Sequence, residues 1–245
     1  MEIKVVALET IPCLIYSSSI RTQLHDSFGV VNDRLSCRRL QEIAVEILRY
    51  VIMIALGYLM GSIPTGYMVV RLATGTDVRL HGSGRTGGTN VWRAAGLGPA
   101  ILTASGDFLK GMSAVLIARA ILGDSVGEVL VGVAAVVGHN WSVFLGFRGG
   151  AGTATNLGVI SALSLPVALA LAGTGLLVIV ISRYASVASL TVATLAPVIF
   201  LILALLAHHP LLHALYGLLA GATVVLAHRA NIIRLLSGTE RRLSY

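Results

Sequence analysis

The sequence predicts an all-α, polytopic membrane protein, and three properties lead to that prediction. Of the 245 residues, 56% are hydrophobic and only 12% are charged, and the mean hydropathy is +0.85. A water-soluble domain of this size has no core large enough to bury so much apolar surface. The apolar runs are long and nearly uncharged, and they lack the two-residue alternation of barrel strands, so we expect helices.

Residues 1–41 differ from the rest, and we expect a poorly ordered or surface-lying extension before a single membrane domain over residues 42–245. Acidic and basic residues are mixed there without a sustained period. The only early apolar stretch is interrupted by Glu9, which argues against a signal peptide. Cys13 and Cys37 suggest neither a disulfide framework nor a metal site. An alternative start for the protein is Met53.

Six apolar segments follow, each near the length of about 20 residues that a hydrocarbon core of about 30 Å requires. Residues 153–181 contain Pro166 and predict two short helices that meet near this proline, which raises the number of crossings to seven. The predicted segments are 47–70, 100–122, 126–145, 157–181, 187–207 and 211–227.

The distribution of basic residues favours seven crossings, with the N-terminus outside and the C-terminus in the cytoplasm. Basic residues in short loops mark the cytoplasmic side of a membrane protein. With seven crossings, Arg119 is the only loop arginine or lysine on the opposite side. Arg38, Arg39 and Arg49 at the outer end of the first helix oppose this arrangement.

The stretch HGSGRTGGTN, residues 81–90, predicts an anion-binding turn. Its G-x-G-x-x-G spacing also matches a dinucleotide site, but that site needs a β-α-β unit, and no strand pattern follows. A plain glycine-rich linker is the remaining alternative. Glycines let backbone N–H groups converge on an anion, and a helix N-terminus adds further donors. We expect Asn90 to cap a helix that begins at Val91, with Arg85 and Arg93 reaching toward phosphate.

Two later stretches carry similar chemistry. In GHNWSVFLGFRGGAGTATNLG, residues 138–158, Arg148 precedes a glycine turn and Thr153 opens another helix. His139 and Asn140 in this stretch are expected to shape the loop or to contact substrate. In AHRANIIRLLSGTE, residues 227–240, His228 and Asn231 share one helical face. Seven crossings bring all three stretches to the cytoplasmic side.

These three stretches resemble the bacterial, membrane-integral acyl-phosphate:glycerol-3-phosphate acyltransferases, and so do GSIPTGYMVVR, GDFLKG and SRYASVASL. The resemblance covers this chain from about residue 57 to residue 240. The resemblance implies an inner-membrane enzyme with seven helices and a cytoplasmic active site. It also implies transfer of a fatty acyl group from acyl phosphate to the 1-hydroxyl of glycerol 3-phosphate, which gives lysophosphatidic acid and phosphate. Besides these two substrates we expect membrane lipids as partners, and neither a cofactor, a metal nor a nucleic acid.

The resemblance also implies roles for individual residues. The family's serine after the basic-aromatic pair falls on Ser186, and Ser189 is the alternative for that position. The predicted catalytic residues are Ser83, Arg93, His228 and Asn231. The predicted substrate-binding residues are Gly84, Arg85, Thr89, Asn90, Arg148, Gly149, Gly150, Gly152 and Ser186.

The chain departs from the family pattern at two positions. Arg85 stands where the family usually has asparagine, and Ala151 stands where it usually has an active-site lysine. Arg85 or Arg148 is expected to restore the lost charge from another direction. Otherwise the chain is slow, altered in substrate or inactive.

An acyl phosphate is a mixed anhydride with a good leaving group, so the protein mainly has to orient the alcohol and stabilise anionic oxygen. His228 can accept the hydroxyl proton or simply bind phosphate, and we expect a substrate phosphate oxygen to take the proton instead. We expect Asp107 and Lys110 to form an ion pair on a helix surface.

Two other classes of protein fit the sequence less well. An anion transporter also uses helix N-termini, but its polar groups lie near the bilayer midplane and its topology is repeated. Here the polar stretches gather on one side without a visible repeat. A non-catalytic lipid-phosphate-binding protein is the second alternative. His208, His209 and His213 include a pair at metal-binding spacing, but the predicted topology separates them from the arginine loops.

Overall fold

The computed structural model describes residues 33–243, in which ten α-helices and two short 3-10 helices occur without any strand. The all-α prediction is confirmed. The chain divides into two compact units, residues 1–51 and 52–245. Most of the predicted extension, with Cys13, lies outside the described residues, and residues 33–41 already belong to the first helix.

In the first unit, the described side chains belong to that helix, where exposed ion pairs join Arg38 to Glu42 and Arg49 to Glu46.

The helices of the described chain are α1 (Asp33–Ser62), α2 (Thr65–Thr74), α3 (Gly88–Ala95), α4 (Leu97–Leu122), α5 (Ser125–Asn140), α6 (Thr153–Leu163), α7 (Leu165–Ser182), α8 (Ala185–Leu205), α9 (Leu211–Ala227) and α10 (Arg229–Leu236).

Length and apolar composition allow five segments of the described chain to cross a membrane. A sixth is possible if α9 and α10, which are bent by 62°, count as one span. α6 is apolar but has only 11 residues. The predicted count of seven therefore requires both α6 and α9 to cross.

Two prolines interrupt apolar runs, and only one of these breaks was predicted. Ser164 separates α6 from α7, and Pro166 lies in the first turn of α7, where its missing N–H leaves no helical hydrogen bond unmade. The prediction of one helix over residues 47–70 was wrong, because Pro64 breaks it after Ser62. The residue before a proline is sterically excluded from the helical conformation, so α2 begins only at Thr65.

Glycine allows several helices of the second unit to pack backbone to backbone. A Cβ atom at Gly158 of α6 would overlap the carbonyl oxygen of Phe108 in α4, and one at Gly61 of α1 would overlap Ala135 in α5. Small residues at such contacts compensate in lipid for the missing hydrophobic drive between helices. α4 thereby lies between α2, α3, α5 and α6, while α8 packs against α7 and α9.

Replacing Gly158 tests this packing. We expect Gly158→Ala to lower the free energy of unfolding by about 1–3 kcal/mol, because the added methyl group forces α4 and α6 apart. The measurement is the thermal unfolding midpoint of the purified protein in detergent. Gly173→Ala is the matched control, because a Cβ atom there meets nothing within 4 Å. A Gly158→Ala protein as stable as this control would contradict the prediction.

Candidate functional site

One cavity of about 610 Å³ in the second unit is lined by residues from all the predicted polar stretches. Its walls come from α3, α4, α6, α7 and α8, and from the segment around and after α10. Stretches far apart in the sequence therefore meet at one place. The predicted site residues that line it are Ser83, Arg85, Thr89, Asn90, Arg93, Gly152, Ser186, His228 and Asn231.

Asn90 holds the first glycine turn in shape. Its side-chain amide donates to the carbonyl oxygens of Val78, His81 and Arg85, and its Oδ1 accepts from the Ser83 amide at 2.9 Å. Only 2% of Asn90 is exposed. The side chain is therefore fully engaged in fixing the loop.

The predicted capping role of Asn90 was wrong. α3 begins at Gly88 with Gly87 as its N-cap, so Asn90 lies inside the first turn. No side chain caps this helix, because the N-cap residue is a glycine. Gly82 is required at the same place, because its φ is +52° and a Cβ atom there would overlap Asn90 Oδ1.

The N-termini of α3 and α6 both border the cavity. Among the hydrogen bonds of the described chain, the amides of residues 87–89 and 151–154 have no protein acceptor. Unpaired amides and the partial positive charge of a helix N-terminus favour an anion. Two sets of backbone donors thus serve one cavity.

The second glycine turn works differently from the prediction. The amides of Gly149 and Gly150 donate to the carbonyl oxygens of Asn140 and His139, at 3.2 and 3.0 Å. These two amides are therefore already paired within the protein. Glycine is needed because a Cβ atom at Gly150 would overlap His139 Nε2. The anion donors of this loop begin one residue later, at Ala151.

Arg85 joins three parts of the site. Its Nη1 lies 3.4 Å from the carbonyl oxygen of Gly150, and its Nη2 donates to the carbonyl oxygen of Ala227. Arg148 is exposed and does not line the cavity, and Gly84 also lies outside the lining. Of the two arginines considered as substitutes for the missing lysine, only Arg85 lines the cavity together with Ala151.

The cavity carries uncompensated positive charge. Burial lowers the pKa of Arg85, and the charges of Arg234 and Arg229 lower it further. Burial and the charge of Arg241 likewise lower the pKa of Arg93, although Glu240 acts in the opposite direction. A bound anion would relieve this repulsion.

Glu240 connects two predicted site residues that lie far apart in the sequence. Its Oε1 accepts from Ser186 Oγ at 3.0 Å and from Asn231 Nδ2 at 2.8 Å, and its Oε2 accepts from Arg234 Nε at 2.8 Å. Burial alone would raise the pKa of Glu240, but these three donors hold it below its ordinary value. Sequence reasoning missed this connection, because nothing in the spacing pairs Glu240 with Ser186.

His228 has a defined tautomer when it is neutral. The side chain is buried, and Nδ1 lies 2.8 Å from the carbonyl oxygen of Val224. A carbonyl oxygen can only accept, so Nδ1 carries the hydrogen and Nε2 is left as an acceptor. The ring borders the cavity and can take a hydrogen bond from a substrate hydroxyl.

Asp107 and Lys110 form the predicted ion pair, at 2.9 Å, but not on a helix surface. Both side chains are buried, and Lys110 Nζ also donates to the carbonyl oxygen of Ile63, just before Pro64, at 2.8 Å. His139 Nδ1 lies 3.4 Å from Asp107 Oδ1. Asp107 and His139 both line the cavity, which the sequence did not predict for Asp107.

The cavity also has an extended apolar part. It follows α6, α7 and α8 away from the arginines and is lined there by Leu157, Leu171, Gly175, Ile179 and Val192. The whole space therefore has one cationic end and one apolar end. Such a shape suits an amphiphile with an anionic head.

Comparisons with known proteins agree on one family. Residues 51–238 match the family model described as glycerol-3-phosphate acyltransferase. The glycerol-3-phosphate acyltransferase of Desulforudis audaxviator is 46% identical over 199 residues, which cover 81% of this chain and 98% of the relative. That of Rubrobacter xylanophilus is 47% identical, over 78% of this chain and 94% of the relative.

Two crystal structures of PlsY (YgiH), an integral membrane glycerol 3-phosphate acyltransferase, are also similar. The glycerol 3-phosphate form has a TM-score of 0.72 and 40% sequence identity, and covers 80% of this chain and 96% of that one. The lysophosphatidic acid form has a TM-score of 0.71 and 38% identity, with 80% and 95% covered.

The Glu240 cluster predicts a pH-dependent stability. Because the pKa of Glu240 is lower in the folded protein, its contribution is present above the ordinary value of 4.5 and is lost as the pH falls through the lowered pKa. We expect Glu240→Gln to lower the free energy of unfolding at neutral pH by about 1–3 kcal/mol. The difference from the wild type should shrink below pH 4.5.

Thermal unfolding midpoints in detergent across this pH range would measure the difference. Glu42→Gln serves as the control, because the Glu42 side chain is 64% exposed. Equal stability of the Glu240→Gln protein and the wild type at neutral pH would refute the role assigned to this carboxylate.

Proposed function

The chain belongs to the glycerol-3-phosphate acyltransferase family, and we propose that it uses an acyl phosphate as its acyl donor. It is an integral membrane enzyme that acylates glycerol 3-phosphate to lysophosphatidic acid. The observation that carries the proposal is the single cavity with a cationic end and an apolar end. Both substrates bear phosphate, and only the donor bears an acyl chain. An alternating-access transporter is not favoured, because the polar groups gather at one end of this cavity.

The phosphate of glycerol 3-phosphate binds near the N-terminus of α3. Unpaired amides of residues 87–89 lie there, together with the hydroxyl of Ser83 and the guanidinium of Arg93. Among the described residues Arg93 makes no hydrogen bond or ion pair, so its donors are available to a substrate. An arginine binds phosphate through two parallel N–H···O bonds.

The phosphate of the donor binds near the N-terminus of α6. Ala151 offers its backbone amide but no charge, and Arg85 supplies the cation from the neighbouring turn. The acyl chain of the donor then follows the apolar part of the cavity. This pose brings the donor carbonyl close to the amides and cations that stabilise developing negative charge.

In the reaction, the 1-hydroxyl oxygen attacks the donor carbonyl carbon. The new C–O ester bond forms and the bond between the carbonyl carbon and the phosphate oxygen breaks. The phosphate leaves with the bonding electrons and takes the hydroxyl proton, so hydrogen phosphate and the ester account for every atom. His228 Nε2 accepts a hydrogen bond from the 2-hydroxyl of glycerol 3-phosphate and so orients the attacking 1-hydroxyl, whose proton goes to the phosphate. Asn231, held by Glu240, lies beside the glycerol.

We further propose seven crossings in the bacterial inner membrane, with the cavity open to the cytoplasm. The connections after α2, α5 and α9 contribute to one cavity end, and so does the start of α8 after α7. The chain returns to that end each time, which requires α6 and α7 to go out and back as a pair. α6 would span only about 16 Å, so this crossing is shorter than the bilayer core of about 30 Å. Arg85, Arg93, Arg183 and Arg234 then lie on the cytoplasmic side.

Arg93 provides a test of substrate binding. We expect Arg93→Ala to raise the KM for glycerol 3-phosphate by about 10- to 100-fold, because a charged hydrogen bond is worth about 1.5–3 kcal/mol. Steady-state assays with acyl phosphate in excess would measure it. Arg71→Ala is the control, because this exposed side chain donates to the nearby Gly75 carbonyl and does not line the cavity. An unchanged KM for Arg93→Ala would count against the proposed phosphate site.

His228 separates two routes for the proton. If the leaving phosphate takes it, His228→Gln should lower kcat by less than about 100-fold, because only orientation is lost. Single-turnover rates give kcat, and calorimetry gives the affinity for glycerol 3-phosphate. Loss of all turnover with unchanged affinity would instead identify His228 as the base.

A further inference from the structure

Arg241 lies in the short segment that follows α10, and it borders the cavity. The sequence-based predictions did not include it among the site residues. Arg241 is exposed, and among the described residues its side chain makes no hydrogen bond or ion pair. The cavity lining therefore includes a guanidinium whose donors are not used by the described part of the protein.

The backbone is fixed to the protein on both sides of Arg241. Before it, Glu240 accepts from Ser186 Oγ of α8 at 3.0 Å. After it, the amide of Leu243 donates to the carbonyl oxygen of Arg183 at 2.8 Å, and the Leu243 side chain is buried. The folded structure thus holds Arg241 at the cavity from both directions along the chain.

The adjacent Arg242 has a different environment. Its Nε donates to Tyr184 Oη at 2.9 Å, and its guanidinium carbon lies 5.4 Å from the centre of that ring. Arg242 does not line the cavity. Of two neighbouring arginines, one is therefore bound by the protein and the other is left for a ligand.

The surrounding charges indicate which phosphate lies near Arg241. Burial lowers the pKa of Arg93, and the neighbouring charge that lowers it most is that of Arg241. Burial also lowers the pKa of Arg85, but there the neighbouring charges are those of Arg234 and Arg229. Arg241 therefore lies on the side of Arg93, the arginine assigned to the phosphate of glycerol 3-phosphate.

We propose that Arg241 binds the phosphate of glycerol 3-phosphate together with Arg93. This inference rests on the proposed function, which puts that phosphate beside Arg93. A phosphate monoester carries a charge of about −1.5 to −2 at neutral pH, so a single guanidinium leaves much of it unmatched. Glu240, next to Arg241, is already paired with Arg234 and does not neutralise the two arginines. A bound phosphate does so and relieves their mutual repulsion.

The test measures the KM for each substrate with the full-length protein in lipid nanodiscs. We expect Arg241→Ala to raise the KM for glycerol 3-phosphate by about 3- to 10-fold, less than at Arg93 because solvent screens an exposed guanidinium. The KM for hexadecanoyl phosphate and kcat should remain those of the wild type. Arg241→Lys keeps the charge but not the paired donors, so it should give a smaller rise.

Calorimetric titration with glycerol 3-phosphate in the absence of donor gives the same comparison without turnover. Arg241→Ala should weaken this affinity by the same factor, and the difference from the wild type should shrink at high salt. A wild type that binds glycerol 3-phosphate but makes no product from hexadecanoyl phosphate would overturn the proposed reaction. The affinities would still decide the role of Arg241.

Arg242→Ala is the matched control, because it removes the neighbouring charge and one anchor of the same segment without touching the cavity lining. Its KM for glycerol 3-phosphate should be that of the wild type. An equal rise in Arg242→Ala would overturn the inference, because the effect would then come from the segment and not from the guanidinium.

The phosphate of a lipid headgroup offers an arginine the same chemistry at a membrane surface. An unchanged KM and affinity for glycerol 3-phosphate in Arg241→Ala would assign Arg241 to the lipid surface and overturn the inference. Thermal unfolding midpoints of Arg241→Ala and the wild type should agree, since this side chain makes no bond within the described chain. A lower midpoint in Arg241→Ala would identify a structural role and would also overturn it.

Discussion

The structure depends on bringing positively charged groups into one partly buried space without protein counterions to match them. Arg85, Arg93 and Arg241 border the cavity with two helix N-termini, whereas Glu240 and Asp107 are the acidic residues of its lining. Asp107 is already paired with Lys110, and Glu240 with Arg234. The folded helices hold the remaining arginines of the lining close together although no acidic residue of the lining is left to pair with them. Phosphate is the natural ligand to neutralise this positive charge.

Two side chains that bond to the protein keep this charge in position. Asn90 ties the first glycine turn to α3, and Glu240 ties the C-terminal segment to α8 and α10. Because these bonds are made within the protein, the donors of the site are held in place and need little reorganisation during the reaction. The proposed reaction asks mainly for such orientation, since an acyl phosphate carries a good leaving group.

The apolar part of the cavity follows from the same helix packing that stabilises the protein. Glycine allows α4 and α6 to touch through their backbones at Gly158. At Gly175 of α7 a Cβ atom would lie 3.2 Å from Cγ2 of Val192 in α8, so these two helices are also closely packed. The apolar part of the cavity is bordered by these packed helices.

The sequence by itself determined the membrane class, the helical fold, the family and most residues of the site. Apolar runs and glycine-arginine stretches are local signals, and the break near Pro166 could be predicted because proline constrains its own neighbours. The break at Pro64 was missed because the apolar run continues on both sides of this proline and of Ser62 and Thr65 beside it. Only the tertiary structure decided that Asn90 orders a loop instead of capping α3, and that the Asp107–Lys110 pair is buried. It alone showed that Arg85, not Arg148, lines the cavity with Ala151 and that Glu240 joins Ser186 to Asn231. These facts depend on which helices meet, and contacts between residues far apart in the chain leave no trace in local spacing.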